Sequence, residues 1–386
     1  MMSYFRSRVN LYIGVMLFFA VTSAQAASQI FTPSAPSVAA SSYILTDFNS
    51  GRVLVEKDPD KRVAPASLTK IMTVYVVFRE LKSGHLKLDE KVVISQNAWE
   101  TGGSKMFVEV NKQVLVEDLL KGVVIQSGND ASVALAEHVA GSEGAFADMM
   151  NDQASRLGMS NSHFENSMGL PSQNHYTTAR DLATLARALI SEFPEYYRWD
   201  SQKEFTYNNI TQQNRNLLLW RDASVDGIKT GFTDEAGYCM VASAKREDMR
   251  LISVVMGAAS ANARANESQS LLNYGFRFFE THRLYEASAP LAEARIRKGV
   301  TSKLQVGVAE DVYVTAPRKH FSELKAETQL DKAITAPINK GDAVGTLNIT
   351  LDGETVLNKP LVAMDSVAEG GIFRRLYDAA LGLLEK

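Results

Sequence analysis

One cysteine, Cys239, stands in the 386 residues, so no internal disulfide can form. It lies in the apolar run from Tyr238 to Ala242 and reads as a small buried hydrophobe rather than a nucleophile. Histidine is scarce as well. His85, His138, His163, His175, His282 and His320 form no H-E-x-x-H or other close ligand cluster, so neither a metal site nor a cofactor is expected. Net charge is only -3 and the pI about 6.1. Without a polybasic footprint, nucleic acid is excluded as a partner. The N-terminal apolar run, Leu11 to Val21, falls short of the roughly 20 residues that a membrane span needs.

That run is flanked by Arg6 and Arg8 on one side and by Ala24-Gln25-Ala26, an A-x-A cleavage site, on the other. Residues 1–26 are therefore expected to be a secretory signal peptide, with Ala27 as the mature start, and the protein to be exported. The whole chain is 45% hydrophobic and 22% charged, an ordinary globular balance with room for two or three domains of about 100–200 residues.

Patterning divides the chain. Tyr43–Thr46 and Arg52–Val55 read as two strands joined by Asn49-Ser50-Gly51. From Ser67, the residues Leu68, Ile71, Met72, Tyr75 and Phe78 recur at helical spacing, stopped near Gly84. Helical stretches follow at Val116–Val124, Asp130–Val139 and Glu143–Leu157, and Thr178 with Asp181 resembles a capping box for a helix running through Ile190. Gly237–Lys245 and Arg250–Met256 then form an antiparallel hairpin, and Asn266–Glu280 returns to helical spacing. This order predicts an α+β arrangement, an antiparallel sheet flanked by helices, over residues 27–286. Short strand-like runs, among them Leu304–Val308 and Ala343–Leu351, predict a small all-β domain over residues 287–367. Residues 368–386 begin at a Gly370-Gly371 hinge. They then place Ile372, Phe373, Leu376, Ala380, Leu383 and Leu384 on one helical face, opposite Arg374, Arg375, Asp378, Glu385 and Lys386. Too short to cross a bilayer, this helix suits the membrane interface; docking on the β domain is the alternative.

Three short motifs carry chemistry. Ser67-Leu68-Thr69-Lys70 opens the first helix, Ser127-Gly128-Asn129 sits between two helices, and Lys229-Thr230-Gly231 precedes the hairpin. Each alone is common. Together and in this order they form the set associated with penicillin-binding proteins and β-lactamases. Ser67 and Lys70, three residues apart, face the same side of a helix. A serine hydroxyl needs a neighbouring base, and a lysine serves as one only if burial or a second cation, such as Lys229, lowers its pKa.

The stretches SYILTDFNSGRVL, PASLTKIMT, IQSGNDASVALAE, DGIKTGFTDEAGY and LLNYGFRFFET resemble the penicillin-binding protein 5 family of low-molecular-weight D-alanyl-D-alanine carboxypeptidases. The resemblance implies a β-lactamase-like catalytic fold and removal of the terminal D-alanine from peptidoglycan stem peptides. It also implies covalent inhibition by β-lactams, and a periplasmic enzyme attached peripherally to the inner membrane through its C-terminal helix. By position it makes Ser67 the acylated nucleophile and Lys70 the general base. Ser127 and Lys229 become the relay to the leaving amine, and Asn129 the holder of the peptide carbonyl. Thr230 and Arg264 would bind the terminal carboxylate, with Arg215 a weaker candidate in the same field. The backbone N–H groups of Ser67 and Phe232, beside Gly231, would make the oxyanion hole. The chain departs from the family where Phe232 replaces a histidine, where an H-G-L triplet reads Met168-Gly169-Leu170, and where the segment Glu100 to Met106 is short. Two rivals remain at this stage. One is a β-lactamase of the same fold, with Glu165-Asn166 as its marker; the other is a membrane-tethered wall-binding protein without catalysis.

Overall fold

The sheet at the centre of the molecule is buried on both faces, and its strands alternate accordingly. In the computed structural model, which describes residues 33–376, five antiparallel strands lie in the order β2-β1-β5-β4-β3. They are β1 (Ser42–Asp47), β2 (Val53–Lys57), β3 (Val225–Thr233), β4 (Gly237–Arg246) and β5 (Met249–Ala258). Ile44, Val241, Ile252 and Val254 point into one core; Leu45, Met240, Ala242, Leu251 and Val255 point into the other. Period-2 alternation of the pleat makes both assignments at once.

Helices cover the two faces. The first core is packed by α1 (Thr69–Ser83), α2 (Asn129–Ala140), α3 (Glu143–Arg156) and α4 (Ala179–Glu192). The second is closed by α5 (Ala261–Phe278) through Leu271, Leu272 and Phe276. In α1, Ile71, Met72, Tyr75 and Phe78 are buried, each such side chain contributing about 1.5–3 kcal/mol. Gly84, at φ +81°, ends that helix in the left-handed C-cap that glycine adopts without Cβ strain. Thr178 accepts a hydrogen bond from the amide of Asp181 and caps α4.

Three local differences from the sequence reading bear on the site. The stretch read as one helix from Val116 is α-helical only to Lys121 and continues as a π-turn over Gly122–Gln126, releasing the chain at Ser127. The K-T-G motif lies within an edge strand of the main sheet. The helix read as Asn266–Glu280 runs Ala261–Phe278, and the chain passes directly into a strand, Phe279–Tyr285.

That strand pairs with Val312–Pro317. Beyond it a six-stranded sheet is built from Pro290–Arg297, Lys303–Gly307, Lys325–Leu330, Ile334–Thr335, Ala343–Leu351 and Glu354–Ala363. It encloses its own core of Ile296, Leu304, Val306, Leu347, Ile349 and Leu361. A polar joint fixes this β-rich region to β1. Thr281 donates its hydroxyl to Asp47 Oδ2 (2.7 Å), and Arg52 donates to the carbonyl of Thr315 (2.5 Å). A helical turn begins at 372–376 with Phe373 86% exposed. The expected signal peptide and the rest of the expected C-terminal helix lie outside the described residues.

Candidate active site

Ser67 sits on a 3-10 turn, Ala66–Leu68, that leads straight into α1. Ala66 holds the left-handed conformation at φ +48°. Lys70, one turn on, is 1% exposed. Its Nζ lies 3.2 Å from Ser67 Oγ, 2.7 Å from Asn129 Oδ1 and 2.7 Å from the carbonyl oxygen of Met168. A neutral amine has two N–H groups and one lone pair. The two acceptors at 2.7 Å use the N–H groups and leave the lone pair for the serine hydroxyl. Burial, and secondly the charge of Arg215, bring the pKa of Lys70 down to about 7, so the neutral base is accessible near neutrality.

Ser127 follows the π-turn in a left-handed conformation (φ +63°), is 2% exposed, and its Oγ has no hydrogen-bond partner among the described residues. Asn129, in the first turn of α2, donates from Nδ2 to the carbonyl of Gly102 (2.7 Å) while its Oδ1 accepts from Lys70. Next to it, Asp130 accepts hydrogen bonds from the amides of Met106 (2.8 Å), Phe107 (2.8 Å) and Val108 (3.2 Å), tying the cleft wall to the S-G-N turn.

The opposite wall is β3. Gly231 brings this strand against the Ser67 turn: a Cβ there would lie 3.2 Å from the Ser67 amide nitrogen and 3.2 Å from Pro65 O. Thr230 is buried at the same edge, and Phe232, 47% exposed, lays its ring on Tyr238 at 4.3 Å. Arg264, buried in the first turn of α5, donates to the carbonyl of Gly231 (2.9 Å) and stacks over Tyr238 at 5.5 Å. Lys229 is buried with its Nζ on the Thr230 carbonyl (3.1 Å). Burial first, then the charges of Lys70, Arg215 and Arg264, hold its pKa well below the ordinary lysine value.

One cleft of about 440 Å³ takes in Ser67, Ser127, Asn129, Arg215, Thr230, Gly231, Phe232 and Arg264. Lys70 and Lys229 lie behind it, facing each other across a small cavity. All ten residues singled out in the sequence thus converge on one place. Two cations bear on Lys70: Arg215, and Lys229, whose mutual repulsion with Lys70 across the small cavity disfavours a second charge on the pair. Sequence reasoning missed the Met168 carbonyl, a backbone group with no residue signature, and Asp130, whose place beside S-G-N was the available hint. Glu165 is absent from the cleft lining; it is half-buried and accepts hydrogen bonds from Ser172 and from the amide of Asn174. The position against Lys70 is filled by a carbonyl, which cannot activate water as a glutamate does. No group of His, Cys, Asp and Glu suited to a metal occurs among the described residues.

The chain matches the family model for D-alanyl-D-alanine carboxypeptidase over residues 29–260 and that for the penicillin-binding protein 5 C-terminal domain over residues 279–369. It is 47% identical to the D-alanyl-D-alanine carboxypeptidase DacC of Escherichia coli over 370 residues, covering 94% of this chain and 92% of that protein. The crystal structure of penicillin binding protein 5 from Haemophilus influenzae superposes with a TM-score of 0.85 at 42% identity, over 87% of this chain and 100% of that one. Penicillin-binding protein D2 of Listeria monocytogenes, solved in an ampicillin-bound form, matches with a TM-score of 0.58 at 32% identity. That match spans 62% of this chain and 100% of the other.

Proposed function

Since the chain belongs to the D-alanyl-D-alanine carboxypeptidase family and is a penicillin-binding serine peptidase with the penicillin-binding protein 5 C-terminal domain, we propose how its residues divide the work. Ser67 Oγ attacks the carbonyl carbon of the penultimate D-alanine, and its proton passes to the neutral Lys70. The amides of Ser67 and Phe232 stabilise the oxyanion, the kind of contribution worth about 10²–10³ in rate. As the C–N bond breaks, Lys229 supplies a proton through Ser127 to the leaving D-alanine amine. Asn129 orients Lys70 and the peptide carbonyl, while Thr230, Arg264 and Arg215 draw in the terminal carboxylate. Water then hydrolyses the ester, and Lys70 returns its proton to Ser67.

The substrate is the D-Ala-D-Ala end of a peptidoglycan stem pentapeptide. β-Lactams acylate the same serine, as the ampicillin-bound form of the Listeria relative supports. The enzyme works outside the cytoplasm, in the periplasm, with its C-terminal helix on the inner-membrane surface; the apolar side chains exposed at Ile372, Phe373 and Leu376 support that attachment. The observation carrying the catalytic reading is the 3.2 Å approach of a buried lysine amine to Ser67 Oγ. Mass spectrometry after incubation with benzylpenicillin tests it. The whole drug mass is expected on the peptide containing Ser67, with D-alanine released from a pentapeptide, and both lost in Ser67→Ala. An adduct elsewhere overturns the assignment.

A further inference from the structure

Asp200 belongs to none of the three motifs, yet it stands behind one of their lysines. It lies on the 3-10 turn Arg198–Ser201, is 3% exposed, and its Oδ2 has no hydrogen-bond partner among the described residues. An orphaned buried carboxyl oxygen is costly to a fold and calls for an explanation. The turn packs against β3 at Gly227, where a Cβ would lie 3.1 Å from Asp200 Cβ and 2.6 Å from Tyr197 Oη. Two residues along is Lys229, and two further is Gly231 against the Ser67 turn. Lys229 therefore sits between the Asp200 turn and the nucleophile.

A small cavity of about 10 Å³ joins these groups. Lys70, Lys229 and Asp200 are its polar lining, and the rest is aliphatic, including Val74, Val123 and Ile228. At about 10 Å³ it lies at the lower limit of the space one water needs.

The charges around Lys229 are unbalanced. Lys70 from α1, Arg215 from the segment before Leu218–Arg221, and Arg264 from α5 all disfavour the ammonium form; Asp200 favours it. Asp226, on the same strand as Lys229, is committed elsewhere, paired with Arg250 at 2.7 Å and accepting from Tyr197 Oη at 2.8 Å. Burial and the Asp226 charge push the Asp200 carboxyl well above the usual carboxylate range. Asp200 and Lys229 are thus two groups whose environments drive both toward their neutral forms.

We propose that Asp200 is a positioning residue that shares a single proton with Lys229 across the small cavity and recharges the lysine during turnover. The exchange is Asp–COOH plus Lys–NH2 giving Asp–COO⁻ plus Lys–NH3⁺. When Lys229 sends a proton through Ser127 to the leaving amine, the carboxyl proton replaces it. The proton lost to the departing D-alanine is restored from water during deacylation. This rests on the catalytic roles assigned above to Ser67 and Lys229.

The test is Asp200→Asn, nearly isosteric and unable to exchange the proton, with Asp200→Glu as the rescue. In the full-length enzyme, kcat for D-alanine release from a pentapeptide is expected to fall about tenfold at neutral pH. The alkaline limb of its pH profile moves down by roughly one unit, the equivalent of that factor, and Asp200→Glu restores most of both. The Ser67 adduct with benzylpenicillin still forms stoichiometrically in Asp200→Asn, which separates this proposal from the nucleophile assignment. An unchanged pH profile, or a loss that is uniform across pH and not rescued by Glu, overturns it. A measurement on the unaltered enzyme stands independently of variant folding. Infrared difference spectra are expected to show a protonated carboxyl C=O band at neutral pH that titrates with the alkaline limb; absence of that band also overturns the proposal.

Discussion

Lys70 Nζ is closer to the carbonyl oxygen of Met168, at 2.7 Å, than to the hydroxyl of Ser67, at 3.2 Å. The loop carrying Met168 therefore aims the base, together with Asn129 Oδ1 at 2.7 Å. With both N–H groups of the neutral amine held by these acceptors, its lone pair has one direction left, toward Ser67.

The rate of Ser67 acylation by a β-lactam should rise with pH through about 7, where Lys70 loses its proton. Only the neutral amine accepts the serine proton, so the rate drops about tenfold per unit on the acid side. Arg215→Ala removes a charge that disfavours the ammonium form. The acid limb of that variant should shift to higher pH by roughly half a unit, less at high salt, because Arg215 is exposed and screened. Stopped-flow acylation between pH 5 and pH 9 checks both; an acid limb that stays in place shows that Arg215 does not tune the base.

Gly169→Ala should disable the site from outside it. Gly169 holds φ +89°, and a Cβ there would fall 1.8 Å from the carbonyl oxygen of Ala66, a backbone atom of the nucleophile's turn. The clash can be relieved only by moving the loop that supplies the Met168 carbonyl or the turn that carries Ser67. A loss of about 3 kcal/mol in stability and of at least tenfold in acylation rate is expected. Thermal melting with acylation kinetics tells the two apart, and wild-type acylation in a folded variant contradicts the role given to the loop.

How much of this was legible in the sequence depended on whether a group announces itself by periodicity or by residue type. Ser67 and Lys70 did, because three-residue spacing on a helix means one face. The K-T-G strand did not show as a strand. Its burial is nearly continuous from Gly227 to Gly231, with a neighbour covering each face, so no alternation marks it. The π-turn that releases Ser127 is hidden for a similar reason, since Gly122 to Gln126 is buried throughout and reads as ordinary helix. Met168 contributes a backbone atom, which no side-chain motif encodes. Asp200 stands before the polar run Ser201-Gln202-Lys203 with no motif around it, and only the fold sets Gly227 against it.

Asp130 is expected to matter for stability more than for chemistry. Its buried carboxylate accepts from three consecutive amides, Met106, Phe107 and Val108, and hydrogen bonds to a charged acceptor contribute about 1.5–3 kcal/mol each. Asp130→Ala leaves those donors unsatisfied and should cost about 3 kcal/mol or more, measured as a lower urea midpoint. Asp130→Asn, which keeps one acceptor oxygen, should lose less. A midpoint within error of wild type for Asp130→Ala would mean that solvent replaces the carboxylate without penalty.

The place to cut the chain is set by the backbone hydrogen bonds that hold residues 367–370. Val367 exchanges two with Ile338 at 2.9 and 3.0 Å, the Val300 amide donates to the Ala368 carbonyl (3.1 Å), and the Gly370 amide donates to the carbonyl of Lys298 (2.7 Å). Ending the chain after Gly371 keeps all of these and removes the segment that begins with exposed Ile372, Phe373 and Leu376. If that segment lies on a lipid surface, the shortened protein should float free of phospholipid vesicles that retain the full-length chain. It should release D-alanine at the full-length rate, because the cleft is built wholly from residues before Ala265. Retention on vesicles points to another membrane-binding surface. A slower release of D-alanine shows that the C-terminal segment supports the catalytic region directly.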